Sequence, residues 1–205
     1  MCIRDSLYLR IAHTRIADEL APPAPTAADL TPVTVATDGS VRGSITGYGW
    51  LASTGGYGLL GFPHRRCQIG TDPVLVAELR AIDAAVRHIR HAPMTIVSDS
   101  RSAVRMVRRW MAGDCVLPDG YTTDRRSGQA GLVEAQNRIH AQRTRIDIQW
   151  QRGRQGDPLN EGADALARLA SRRFASKGEL SATEYHQRAA GLATAFAAEF
   201  RRSAA

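Results

Sequence analysis

Val33-Thr34-Val35-Ala36-Thr37-Asp38-Gly39-Ser40 is the stretch from which the architecture of this chain can be read. Its first half is apolar and β-branched, the composition of a strand buried in a sheet, and Asp38, Gly39 and Ser40 then read as a turn that ends it. A carboxylate is thereby expected at the tip of a rigid strand. An isolated Asp-Gly-Ser is most simply a turn cap. Three further acids in comparable positions change that weighing. Glu78 lies early in a helical stretch (Ala-Glu-Leu-Arg-Ala-Ile), and Asp99 closes a second β-branched run (Thr-Ile-Val-Ser-Asp-Ser). Asp164 falls one turn into a last long helix (Asn-Glu-Gly-Ala-Asp-Ala-Leu-Ala).

Next along the chain, Ser44–Ser53 and Tyr57–Phe62 read as two strands around a tight turn at Thr54-Gly55-Gly56, forming an antiparallel meander with the first strand. Gly47 and Gly49 are not a phosphate loop, because no Lys-Ser/Thr follows and no helix opens behind them; they are expected to relieve crowding in a twisted strand. From Pro73, apolar residues Val76, Leu79, Ile82, Val86 and Ile89 recur at helical spacing. His88 and His91 follow as surface cations near that helix's end, without an acidic or Cys neighbour to make a metal site.

Met94–Ser98 is then a strand parallel to the first, since a helical crossover joins them, which places Asp99 beside Asp38. Ser102–Met111 reads as a helix flanked and studded by Arg101, Arg105, Arg108 and Arg109, either a solvated face or a backbone-contacting one. After a loop over 113–128 come a helix (Gln129–Gln142), an alternating strand (Arg145–Gln151), a basic loop (Arg152–Pro158) and the final helix from Asn160. Ser181-Ala-Thr-Glu184 is a capping box opening one more amphipathic helix, which either docks on the domain or mediates self-association.

The 205 residues allow one domain with extensions. No apolar run is long enough to span a bilayer. A net charge of +7 favours a polyanionic partner. Lys177 is the only lysine, so nearly all positive charge is arginine, whose forks suit phosphate, although a GC-rich coding sequence would give the same bias. Cys2, Cys67 and Cys115 are scattered and unpaired in spacing, which points to a reducing, cytoplasmic setting and away from a disulfide framework or structural zinc.

Thr-Asp-Gly-Ser, Ala-Glu-Leu, Ser-Asp-Ser and Pro-Leu-Asn-Glu-Gly-Ala-Asp-Ala-Leu-Ala, in that order over roughly Thr31 to Phe174, resemble the type 1 ribonuclease H family. The resemblance implies an α/β ribonuclease H-like fold: a five-stranded mixed sheet, three antiparallel meander strands plus two parallel ones, flanked by helices. It divides the chain into an N-terminal extension with a Pro/Ala-rich linker (1–30), a catalytic domain (31–175) and a C-terminal helical extension (176–205). No oligomeric state follows from it.

Four converging carboxylates without matching basic partners repel at neutral pH unless cations neutralise them, and an all-oxygen donor set selects Mg²⁺, with Mn²⁺ as a substitute, over zinc. Two such ions about 4 Å apart activate water and clamp a phosphodiester for in-line attack. The resemblance implies that Asp38 bridges both ions, Asp164 completes the site of the water-activating ion, and Glu78 and Asp99 complete the other. The implied substrate is an RNA–DNA hybrid cut in its RNA strand to leave 5′-phosphates. Substrate contacts are expected from Gly39, Ser40, Ser100, Arg101, Arg154 and Asn160.

The chain departs from the family at three places. Arg154 stands where many members carry His in a Gly-His-x-Gly-His-Pro loop, and a guanidinium, permanently charged, offers charge but no proton transfer. Val74-Leu75 replaces an Asn-Asn pair suited to reading 2′-hydroxyls. Arg101 replaces a frequent Gln. Two other readings stay open at this point: a nucleic-acid-binding module that lost turnover, and a nuclease for another duplex.

Overall fold

A computed structural model of the chain describes residues 32–90, 92–124, 128–175 and 180–204. The expected N-terminal extension (1–30), His91, Arg125 and Arg126 lie outside the described residues. The strands are β1 (Val33–Arg42), β2 (Ile45–Ala52), β3 (Tyr57–Pro63), β4 (Met94–Ser98) and β5 (Ile146–Trp150). The helices are α1 (Arg66–Ile69), α2 (Pro73–His88), α3 (Arg101–Ala112), α4 (Gly131–Ala141), α5 (Pro158–Ala175) and α6 (Ala182–Ser203), with a 3₁₀ turn at Arg143–Arg145. The sheet order is β3-β2-β1-β4-β5. β2 pairs antiparallel with both β1 and β3, while β4 runs parallel to both β1 and β5, so the five-stranded mixed sheet expected from the sequence is the one observed.

The first strand differs from expectation in one respect that matters. It does not end at Asp38 but runs on to Arg42, because Asp38, Gly39 and Ser40 pair with Gly49, Tyr48 and Gly47 of β2. What ends there is β4, whose last pairing with β1 is Thr37 with Ser98. Asp38 therefore sits in mid-strand, beside the point where its neighbour on the other side stops.

Alternation along β1 splits the core. Val33 and Val35 point to one face, where they pack with Tyr48, Trp50, Ala81, Ala84 and Ala85 of β2 and α2. Ala36 points to the other and packs with Leu51, Leu159, Ala163 and Leu166 of β2 and α5. A third cluster, centred on the fully buried Trp110, joins α2, α3 and α4 to β4 and β5, and the Trp110 indole donates to Val116 O at 2.6 Å, tethering the loop after α3.

Gly47 and Gly49 relieve crowding against a helix rather than within the strand. A Cβ on Gly49 would lie 2.6 Å from Ala167 N and 2.7 Å from Ala163 O, and one on Gly47 would lie 2.6 Å from Ala167 O and Ser171 N. Gly61 continues the stripe on β3, where a Cβ would lie 2.5 Å from Ala170 O. Side-chain-free strand positions let the backbone of α5 rest directly on the sheet.

α5 begins at Pro158 rather than Asn160, because proline is preorganised for a first helical turn and Asp157 Oδ1 accepts from Asn160 N at 2.9 Å. The Ser181–Glu184 capping box forms as its spacing predicts. α6 then docks: Ala189, Ala193 and Ala197 bury against α5 and β2, with Phe196 packed beside Gly162. Among the described residues, no helix is long and apolar enough to cross a membrane.

Candidate active site

Each acid is placed by a different element. Asp38 comes from β1, Glu78 from the second turn of α2, and Asp99 from the residue just past β4. One ligand oxygen from each of these three lies within 4.8 Å of the others. Gly39 makes the Glu78 approach possible, since a Cβ there would meet Ala77 Cβ and Glu78 N at 2.7 Å. Gly39 thus seats α2 on one face of β1, while Gly49, paired opposite Asp38, seats α5 on the other. The sheet is open beyond Ser98, so acids from both faces reach a common point.

Asp164 is the fourth member but does not join the tight group. It raises the proton affinity of Asp38 and Asp99 through its charge, yet its own Oδ1 is paired with Arg168 Nε at 2.8 Å, one helical turn on. The expectation of carboxylates without basic partners is therefore corrected at this position; the i,i+4 spacing of Asp164 and Arg168 was the available signal.

The electrostatics of the three grouped acids agree in direction. Burial, reinforced by Asp164 and Asp99, pushes the Asp38 carboxyl up to about 7. Burial and then Asp38 push Glu78 well above the usual carboxylate range. Asp99 is raised by burial and by Asp164, with Arg154 pulling the other way. Among the described residues none of the three has an ion-pair partner, and the buried Glu78 Oε2 has no hydrogen-bond partner. An oxygen-only donor set with a buried orphan oxygen and mutual repulsion fits hard divalent cations.

The expected substrate contacts divide. Arg154 is exposed and close enough for its charge to act on Asp99, and it holds a left-handed backbone, φ 57°, unusual for a side chain of its size. Asn160 is buried, with Oδ1 unpartnered among the described residues. Ser40 reaches instead toward α5, where its Oγ lies 3.0 Å from Ser171 Oγ. Ser100 caps α3, accepting from Ala103 N at 3.2 Å, and Arg101 lies over the Trp150 ring, 3.9 Å from its centroid. Val74 presents an exposed apolar side chain one turn before Glu78.

Two contributors were missed from the sequence. Trp150 Nε1 donates to Asp99 O at 2.9 Å, fixing the backbone under the carboxylate; an indole closing an alternating strand was the signal. Gly153 lies against the Asp99 carboxylate, where a Cβ would overlap Oδ2 and sit 3.2 Å from Cγ. Gly153→Ala is expected to swing Asp99 away from Asp38. Hydrolysis should fall about 10²-fold, the scale of a misplacement of about 1 Å. A melting temperature within about 1 °C of the parent is expected, because only the far end of one side chain must move. Paired rate and melting measurements check this, and an unimpaired rate would refute it.

The RNase H family model matches residues 31–172. The chain is 33% identical over 105 residues to a ribonuclease H of Ruegeria sp. (strain TM1040), covering 50% of this chain and 65%, just under two thirds, of that protein. It is 29% identical over 146 residues to the ribonuclease HI of Caulobacter vibrioides, covering 67% of this chain and 92% of that one. The N-terminal RNase H domain of a Mycobacterium tuberculosis protein, solved as a fusion with maltose-binding protein, aligns at TM-score 0.48 and 19% identity, over 71% of this chain and 97% of that one. A family match spanning the whole sheet, α2 through most of α5 and all four acids shows that this chain belongs to the RNase H family.

Proposed function

We propose that the chain is a divalent-metal-dependent endoribonuclease that hydrolyses the RNA strand of RNA–DNA hybrids and leaves 5′-phosphate ends. The observation that carries this reading is the convergence of Asp38, Glu78 and Asp99 within 4.8 Å, with Asp164 near enough to act on two of them. The names of the relatives, ribonuclease H and ribonuclease HI, support it.

In this reading Asp38, together with Asp164, Glu78 and Asp99, would hold the Mg²⁺ ions. When bound, such ions activate water and neutralise charge on the phosphodiester and its leaving oxygen. The chain's own contribution is rigidity: Gly39 and Gly49 set the two helices, the Trp150 indole fixes the Asp99 backbone, and the bare Gly153 leaves room for the Asp99 carboxylate. Arg168 holds Asp164 in place through its ion pair. Arg154 supplies charge beside Asp99 but cannot relay protons. A cytoplasmic setting fits the free, exposed Cys67 and Cys115.

The test is incubation of labelled hybrid, duplex DNA and duplex RNA with the full chain in Mg²⁺, Mn²⁺ or EDTA. Cutting of the hybrid's RNA strand alone, lost in EDTA and in Asp99→Asn, is the expected result. Binding without cutting in any metal would identify a binding module instead, and cutting of another duplex would replace the substrate assignment.

A further inference from the structure

The acidic cluster does not use the arginines of α3. Arg101, Arg105, Arg108 and Arg109 are all exposed, at spacings of four, three and one that keep them on one side of the helix. At a rise of about 1.5 Å per residue their roots span roughly 12 Å. They line a groove of about 610 Å³ together with Val104 and Trp150. The single acid in that lining, Asp114, is paired with Arg109 Nε at 2.8 Å, and Arg108 is tied to Ile148 O at 3.1 Å. Arg105 has no ion pair among the described residues.

Trp150 closes the groove at the end nearest the acids. It is 39% exposed, against 4% for Trp50 and 0% for Trp110. Its position is held by the Arg101 guanidinium on its ring and by its bond to Asp99 O. A line of cations ending on a rigid, accessible indole matches the needs of a strand whose bases are free to stack. A duplex, whose bases stack on one another, makes no use of the indole.

We propose that this groove binds an unpaired nucleic-acid strand continuing beyond the hybrid, with its phosphates on Arg105 and its neighbours and one base against Trp150. The inference deepens the hybrid-cutting reading and rests on it for the strand's point of departure, but its test is independent of cleavage.

The probe is an oligothymidylate of about 12 nucleotides, within the ~4–16 nucleotide range of single-strand sites, added to the full chain in EDTA. Binding should raise the oligonucleotide's anisotropy and quench tryptophan fluorescence, and the quench should vanish in Trp150→Phe, since the other two indoles are buried. Arg105→Glu should weaken affinity about tenfold, and each phosphate no longer neutralised should lower the slope of log K against log salt by roughly 0.7. Arg105→Lys should keep most of the affinity. Arg105→Glu should cut a blunt hybrid at the parental rate.

Parental affinity in Arg105→Glu, or a quench that survives Trp150→Phe, overturns the proposal. So does displacement of the oligonucleotide by poly-glutamate at equal charge, which would mark an acidic-protein site. Cutting of blunt hybrid with no oligonucleotide binding sinks this inference alone. Oligonucleotide binding by a chain that never cuts sinks the hybrid-cutting reading and leaves the groove assignment standing.

Discussion

On the proposed reading, in which Asp38 would hold metal, Asp38→Asn is expected to lower hydrolysis of the hybrid by at least about 10³-fold, while making the metal-free protein more stable at pH 8. The sign follows from the direction of the shift. Asp38 binds its proton more tightly in the folded state, at about 7, than at its ordinary value of 3.8. Its contribution to stability is therefore fully present below about pH 4 and is lost as pH rises toward 7. Glu78 and Asp99 are shifted in the same direction and add to the trend.

A shift of that size sets a ceiling of roughly 4 kcal/mol. Because the remaining acids re-share the strain, about half of that, roughly 2 kcal/mol, is expected back on substitution, or about 4–8 °C for a chain of this length. Mg²⁺ should raise the melting temperature of the parent at pH 8, where the acids are ionised and free to bind it, and leave that of Asp38→Asn nearly unchanged. Melting curves at pH 5 and pH 8, in EDTA and in Mg²⁺, read all of this at once. A variant that melts below its parent at pH 8 in EDTA would remove the electrostatic argument, and one that still cuts would remove Asp38 from the mechanism.

The second large effect is expected at an uncharged position, the glycine paired across the sheet from Asp38. Gly49→Ala puts a methyl 2.6 Å from Ala167 N and 2.7 Å from Ala163 O, atoms of helix backbone that cannot swing aside. α5 must lift from the sheet, and it carries Asp164. Overpacking of this kind costs about 1–3 kcal/mol. A shift of about 1 Å in a site residue costs on the order of 10² in rate. Stability and hydrolysis should therefore fall together, unlike Gly153→Ala, where only hydrolysis falls. Gly191→Ala is the control: at that position in α6 an added methyl would have nothing within 4 Å. Replacing a mid-helix glycine there should stabilise by about 0.5–1 kcal/mol without touching the rate. Equal melting and equal rates for Gly49→Ala and its parent would show that α5 has room to give above the sheet.

Periodicity identified the helices and strands wherever the local pattern was long, as in α2 with its apolar face from Val76 to Val86. It failed at the end of β1, because Asp-Gly-Ser has turn chemistry locally and is overruled by pairing with β2 across the sheet. The order of the four acids and the element that bears each were legible in the chain, although Asp38 proved to lie within β1 and not at its end. Trp150 and Gly153 were not legible as contributors, because each acts on Asp99, distant in sequence, whereas the i,i+4 spacing of Asp164 and Arg168 is a local signal of their pair.

Amino-acid order was enough to establish the five strands and the long helices, their succession, and which acids they bear, because hydrophobic period and turn chemistry are short-range properties. The short α1 and the 3₁₀ turn at Arg143–Arg145 carry no such period and were not read from it. Packing in three dimensions settled that Asp38, Glu78 and Asp99 meet, and that Asp164, which reaches Asp38, is also paired with Arg168. It did so through two glycines on neighbouring strands: Gly39 admits α2 to one face of β1, and Gly49 admits α5 to the other. How closely a helix backbone can approach a sheet depends on side chains absent from both partners, and that is visible only once the partners are in contact.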